Sequence, residues 1–474
     1  MTTLSKEKKE QRKWVFKQGN SPDSNNIFET LVESEFLSTG MQRKNQEQYL
    51  AGFIRFAAMH TQYYREMFQQ LGLQPQDIQT TEDLHQIPLL TKKNIQEQPE
   101  MLIAEKLPLG EKYAGWSQSS GTTGKPLRVF RSARSCMIEV AMLQRQFRWY
   151  RLDPGDTQAW FRRPDYFAIP PDNHQLRPGE TFYKPTWPGL GKIFVTGPYL
   201  AFSLANPTDT KIEWLKQHKP ASLRTVSSEL ERLAFAFQGQ PPIKGLKGFR
   251  AVGERLTPGM RHRIEKTFGV PVNISYGLNE LGWNATRCSE GGRYHINSES
   301  CLIEVIKDDG TPSEPGELGT VVITQYDNVV MPLIRYNTGD IARAVDGTCP
   351  CGRTLPAVGD IIGRSTERSS VPAAILQIAD KLREMMELLP EDLSFNIRGY
   401  QVHHHQTNDF SLRLLLAAPL PEGFNEYVRN TWENILTDQS QGIEGKPSLS
   451  IEEVDVIPQH VSGKQVYFTS DLKS

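Results

Sequence analysis

The chain has little cysteine, no excess of either charge and no long apolar run, and each shortage removes a class of protein. Five cysteines in 474 residues, an odd number, are too few for a disulfide scaffold and suit a reducing compartment. Lysine and arginine number 54 against 55 aspartate and glutamate, so no basic field speaks for nucleic acid or an anionic membrane. No stretch reaches the roughly 18 consecutive apolar residues of a membrane span. The start, MTTLSKEKKEQRKWVF, is highly charged and lacks the apolar core of a secretory signal. A cytoplasmic enzyme of two or three domains is the expectation for this length and composition. A homodimer is compatible with it.

What is present is punctuated αβ sequence without repeats. Residues 43–70 carry apolar and aromatic positions at helical spacing, which predicts core packing. Residues 157–200, dense in proline, glycine and aromatics, predict irregular loops around a cleft. GMRHRIEKTFG predicts a helix over 259–269 closed by Gly269, and VPVNISYG a buried strand after it. Residues 301–325 predict two strands joined by a Gly/Pro turn. From about residue 366 the pattern is helix (372–388), strands (394–404, 410–417), helix (424–436) and strand (449–457). That is a compact α+β unit of about one hundred residues, large enough to be a domain. Three successive histidines, His403, His404 and His405, fall in one of these strands. Alternation separates neighbouring side chains, which argues against a metal site there.

Between Ser117 and Phe130 the chain reads SQSSGTTGKPLRVF. It is not a Walker-type loop: only Thr122 and Thr123 separate Gly121 from Gly124, where four residues are required, and Pro126 follows Lys125. A proline there also spoils a loop-to-helix anion cradle. The ingredients of a triphosphate grip are still in place. Gly121 and Gly124 allow close backbone approach, while Ser119, Ser120, Thr122 and Thr123 offer hydroxyl donors and Lys125 a cation. A polar hairpin turn has the same composition.

Taken with segments downstream, SSGTTGKP resembles the phosphate-binding signature of the adenylate-forming superfamily of acyl-CoA synthetases, luciferases and peptide-synthetase adenylation domains. AVGERL and NISYGLNELG are similar to its adenine strand and tyrosine–glycine–glutamate segment. PLIRYNTGDIAR resembles its ribose-binding aspartate motif, GRS at 363–365 its hinge, and IPQHVSGKQVYF its C-terminal lysine loop. The wording of PLIRYNTGD followed by GTCPCGRTLP is nearest to phenylacetate–CoA ligases. The resemblance implies an α/β fold. A large N-terminal adenylation domain of mixed sheets and helices would span 1–365, and a small mobile α+β C-terminal domain 366–474.

It also implies a reaction: ATP and a carboxylic acid form an acyl-adenylate and pyrophosphate, and the acyl group passes to a thiol, usually of coenzyme A. Transfer to a carrier-protein thiol or an amine is the alternative, and a nucleotide-binding protein without catalysis a more distant one. Glu280 matches the acid that holds Mg²⁺, an oxygen ligand suited to a hard cation. Asp340 matches the acceptor of the ribose hydroxyls, with Arg364 its basic companion. Ser275, Tyr276 and Gly277 flank the adenine; Gly253 and Glu254 line the base's other face. Lys464 matches the mobile lysine that reaches the carboxylate and α-phosphate, and with Glu280, Thr122 and Lys125 makes up the catalytic set. Aromatics at 160–195 point to a flat or apolar acid.

Four of the five cysteines fall between 288 and 351. The Cys349-Pro350-Cys351 pair with Cys288 and His295 has the donors of a tetrahedral structural zinc site, with Cys301 as substitute ligand. After GRS the chain departs from the family. Thr366-Glu367-Arg368-Ser369-Ser370 and a helix-like run replace the acidic, glycine-containing hinge loop, and Gln465-Val466-Tyr467 replaces the basic residues that follow the lysine.

Overall fold

The structure, a computed structural model, describes residues 22–118, 127–163, 176–188, 190–364, 371, 373–394, 396–406, 409–439, 445–458 and 466–472. Ser119, Ser120, Gly121, Thr122, Thr123, Gly124 and Lys125 lie outside these residues, as do the hinge positions 365–370 and Lys464. Of Arg364 only the backbone is described. The chain forms two compact units, neither continuous in sequence. Among the described residues no helix is long and apolar enough to cross a membrane.

The first unit comprises residues 1–155, 188–196 and 274–364. Its helical pattern at 43–70 is realised as two helices, Thr39–His60 and Gln62–Leu71. The break is Thr61, whose extended backbone (φ −122°) frees its side chain to accept from the Tyr64 amide as the second helix's N-cap. Strands Tyr113–Gln118 and Arg128–Ser132 pair antiparallel, with Gln118 opposite Arg128 at the ends that flank residues 119–127. A four-stranded antiparallel sheet follows in the order Cys301–Ile306, Leu318–Gln325, Leu333–Arg343, Ile361–Arg364.

The second unit comprises residues 156–187, 197–273 and 365–474. Strands Gly248–Ala251, Ser222–Thr225, Gln158–Arg162 and Tyr199–Ser203 lie parallel in that order, with Thr181–Lys184 antiparallel at the edge. The 157–200 stretch therefore holds two strands and the start of a third where the sequence predicts loops. Its prolines and glycines fall between them, and Ala159, Phe161, Ala201 and Phe202 are buried. Helix Pro258–Phe268 starts one residue before the predicted run, at the Thr257 cap, and stops at Gly269 (φ 67°), as its sequence predicts.

The C-terminal segment builds a sheet in the order Leu449–Glu453, Phe410–Leu416, Ile397–His404, Phe468–Ser470. Helices Ala373–Glu387 and Phe424–Gln439 cover it around Leu382, Tyr400, Leu412 and Trp432. It packs closely on residues 197–273. Arg263 donates to the Met386 carbonyl at 2.8 Å, and Tyr467 to Glu231 at 2.6 Å. A side chain at Gly259 would run into the Glu387 backbone.

Candidate functional site

The site in the first unit is built on strand Leu333–Arg343. Period-two burial puts Tyr336, Thr338 and Asp340 at its inward positions. Gly339, at φ 74°, supplies the left-handed turn that the strand needs before Asp340, and its amide is held by the Asn337 side chain at 2.9 Å. The Asp340 amide donates to the Thr338 hydroxyl at 3.0 Å, which itself donates to the Val321 carbonyl at 2.8 Å. The carboxylate is thus set by its own backbone and is 7% exposed.

Strand Val272–Leu278 presents Tyr276, whose hydroxyl donates to Asp340 Oδ2 at 2.7 Å. Burial, and then the Asp340 charge, hold that phenol well above its ordinary pKa, so it stays a donor. Ser275 shares a hydroxyl contact of 3.2 Å with Thr286 on the adjoining strand Gly282–Arg287. Gly277 is required by packing: an added Cβ would meet the Gly282 carbonyl oxygen at 2.5 Å. Between these strands lies Glu280, 4% exposed, whose Oε1 accepts from the Tyr336 hydroxyl at 3.2 Å. The buried carboxylate fits a hard cation's need for anionic oxygen. Asp340 pairs by backbone with Arg364 in the neighbouring strand.

Gly253 and Glu254 belong to the second unit. Gly253 has φ 73°, and Glu254 caps the helix Ser227–Phe237, accepting from the Ser228 amide at 2.8 Å and its hydroxyl at 3.1 Å. The sequence points Glu254 to a nucleotide role; what the structure shows of it is this contact with the start of the helix.

Cys288, His295, Cys349 and Cys351, all buried, converge with their ligating atoms within 4.8 Å of one another. Cys349 Sγ lies 3.7 Å from Cys288 Sγ, too far for a disulfide, and Cys351 Sγ lies 3.3 Å from His295 Nε2. The amides of Gly291 and Arg353 point at Cys288 and Cys351 sulfur, each at 3.4 Å, and a side chain at Gly291 would strike Cys349. Hydrogen bonds from Cys349 and Cys351 hold the Cys288 thiol far below its usual value. Burial opposes charge on His295, yet its Cys288 and Cys351 neighbours raise it to about 9. Thiolate character beside an imidazole is the donor chemistry of zinc. Cys301 stands apart, buried against the Asn284 and Asn297 carbonyls at 3.6 and 3.7 Å, so it is not the substitute ligand the sequence suggests.

Tyr336 and Thr338, which hold Glu280 and Asp340, are not singled out by the motif. The signal for them is the period of two counted back from Asp340. The same strand contains Arg335 at φ 51°, a strained position for a non-glycine residue, fixed by Glu304 at 3.0 and 3.2 Å and by the Ile87 carbonyl at 2.8 Å.

No protein-family model matches the chain. It is 26% identical over 343 residues to the phenylacetate-coenzyme A ligase of Thermus thermophilus, covering 71% of this chain and 73% of that one. Against the phenylacetate-coenzyme A ligase of Escherichia coli (strain K12) it is 24% identical over 373 residues, or 75% and 79% of the two chains. Among solved structures, 2-hydroxyisobutyryl-CoA ligase in the postadenylation state in complex with 2-HIB-AMP superposes with a TM-score of 0.69. That match covers 92% of this chain and 91% of the other at 17% identity. The chain therefore has the α/β fold of the adenylate-forming CoA ligases, and its sequence is related to the phenylacetate–coenzyme A ligases.

Proposed function

We propose that this relative of the phenylacetate–coenzyme A ligases is an AMP-forming acid–thiol ligase acting on an aryl or other apolar carboxylic acid. The observation that carries the proposal is the gathering of Asp340, Tyr276 and Glu280 along strand Leu333–Arg343. In the first half-reaction a carboxylate oxygen of the acid attacks the α-phosphorus of ATP and pyrophosphate leaves. In the second, the coenzyme A thiol attacks the acyl carbonyl and AMP leaves.

In this account Asp340 accepts from the ribose hydroxyls, held in place by Tyr276, with Arg364 beside it. Ser275, Tyr276, Gly277, Gly253 and Glu254 border the adenine. The hydroxyls of Ser119, Ser120, Thr122 and Thr123 and the Lys125 cation grip the phosphates, with Gly121 and Gly124 chosen for close backbone approach. Glu280 would hold Mg²⁺, which supplies charge neutralisation at the phosphates. Lys464 brings its cation to the carboxylate and α-phosphate while charge builds there, a contact worth about 3 kcal/mol. Residues 366–474 are the mobile domain that carries Lys464 in for the first half-reaction and out for the second.

Cys288, His295, Cys349 and Cys351 would hold a structural zinc ion that ties the segment 349–351 to strand Tyr294–Ile296. The free thiols support a cytoplasmic place of action. The acceptor is the coenzyme A thiol. A carrier-protein thiol or an amine is the second possibility, favoured by the altered hinge sequence Thr366-Glu367-Arg368-Ser369-Ser370. The test is Lys464→Ala. It should lose adenylation about 100-fold or more and still turn preformed acyl-adenylate into thioester; equal loss of both steps contradicts the assignment.

A further inference from the structure

His403 and His405 lie at the end of strand Ile397–His404 and just beyond it. Alternation separates nearest neighbours, as the sequence implies, but it returns every second residue to one face. The His403 and His405 rings meet edge to face with centroids 4.5 Å apart, while His404 packs on Phe410. The three-residue strand Phe468–Ser470 pairs in parallel with this one, His403 opposite Thr469, and brings Asp471 to the two rings. His403 Nε2 lies 3.3 Å from Asp471 Oδ1, and His405 Nδ1 lies 3.7 Å from Oδ2. The three ligating atoms are all within 4.8 Å of one another.

Hydrogen bonding fixes what these atoms offer. Ser411 has one hydroxyl proton and gives it to the Glu452 carboxylate, which can only accept. Ser411 must then accept from His405 Nε2, so the neutral imidazole carries its proton there and turns the Nδ1 lone pair to Asp471. His403 is anchored through Nδ1 to the Thr469 hydroxyl at 2.8 Å, leaving Nε2 on the Asp471 side. Two ring nitrogens held from behind by hydroxyls, with a carboxylate between them, is how metal-binding histidines are oriented. The spacing fits as well, since bonds of about 2.0–2.2 Å at tetrahedral angles set ligand atoms about 3.3–3.6 Å apart. The nearby Arg413 cation is paired with Glu452 at 3.2 Å.

We propose that His403, His405 and Asp471 form a second metal site, taking a divalent transition-metal ion through two imidazole nitrogens and a carboxylate and leaving its other positions to water. Imidazole with carboxylate selects zinc, cobalt(II), nickel or copper over magnesium and calcium. The ion would clip the last strand to the sheet. Asp471 follows Lys464 by seven residues, so it would also anchor the far end of the lysine loop. The site needs neither the cysteine cluster nor the ligase reaction.

The test is zinc content of the full-length protein after equilibrium dialysis against buffered zinc, for wild type, Asp471→Asn and the double variant His403→Ala/His405→Ala. Asp471 is exposed, so Asp471→Asn folds as wild type and guards against a folding defect in the double variant. Wild type should hold one equivalent more than either variant. In cobalt-loaded samples the thiolate-to-cobalt absorption of the cysteine cluster should be the same in all three. Equal metal content in wild type and both variants would overturn the proposal.

Discussion

Tyr276 and Asp340, 64 positions apart in sequence, are joined by a hydrogen bond of 2.7 Å from phenol to carboxylate. The bond aims a buried carboxylate, and its loss leaves that carboxylate free to turn. Tyr276→Phe should raise the KM for ATP about tenfold to a hundredfold, since a hydrogen bond to a charged group contributes about 1.5–3 kcal/mol. Asp340→Ala should raise it further. Initial-rate kinetics at varied ATP check both, and an unchanged KM in both variants would remove the ribose role.

Glu280→Gln keeps the shape and hydrogen bond to Tyr336 but removes the charge a magnesium ion needs. Adenylation should fall about 100-fold or more, with a raised requirement for magnesium in steady-state assays. Tyr336→Phe, which removes only the hydroxyl that donates to Glu280 at 3.2 Å, should cost about threefold to tenfold.

Cys351→Ser should weaken the thiolate-to-cobalt absorption of cobalt-loaded protein and lower the melting temperature by about 5 °C or more. Gly291→Ala should do the same through the collision of its new methyl with Cys349. A wild-type protein without that absorption after cobalt loading contradicts the zinc assignment.

Asp327 gives a pH signature. Burial pushes its carboxyl up to about 6 from the ordinary 3.8, against the hydrogen bond from Ser300. Because the folded value is the higher one, the unfolded chain loses this proton first. Stability from this group is complete below pH 3.8 and falls as pH rises to about 6. Asp327→Asn should match wild type near pH 4 and exceed it by about 3 kcal/mol at pH 7. Urea unfolding at several pH values checks the sign; a variant less stable than wild type at pH 7 is the contrary result.

The local elements were legible where a stop signal accompanied the hydrophobic period. Helix Pro258–Phe268 has its threonine cap, first-turn proline and closing glycine all in sequence. Thr61 was hidden because the apolar period runs through it, and only its extended backbone divides the helix. Strand Phe468–Ser470 is three residues long and owes its place to pairing with Val402–His404, which no local pattern announces. In the site, Glu280 and Asp340 came from motif resemblance. Their partners Tyr336 and Tyr276 lie 56 and 64 positions away, joined by the sheet rather than by any spacing rule.

The most direct measurement of the ligase assignment is product analysis by mass spectrometry of the full-length protein with ATP, magnesium and a panel of aryl and aliphatic acids, with and without coenzyme A. Acyl-AMP and pyrophosphate are expected without coenzyme A, and acyl-CoA with AMP when it is added, for at least one apolar acid. ATP binding with neither product from any acid would contradict the assignment.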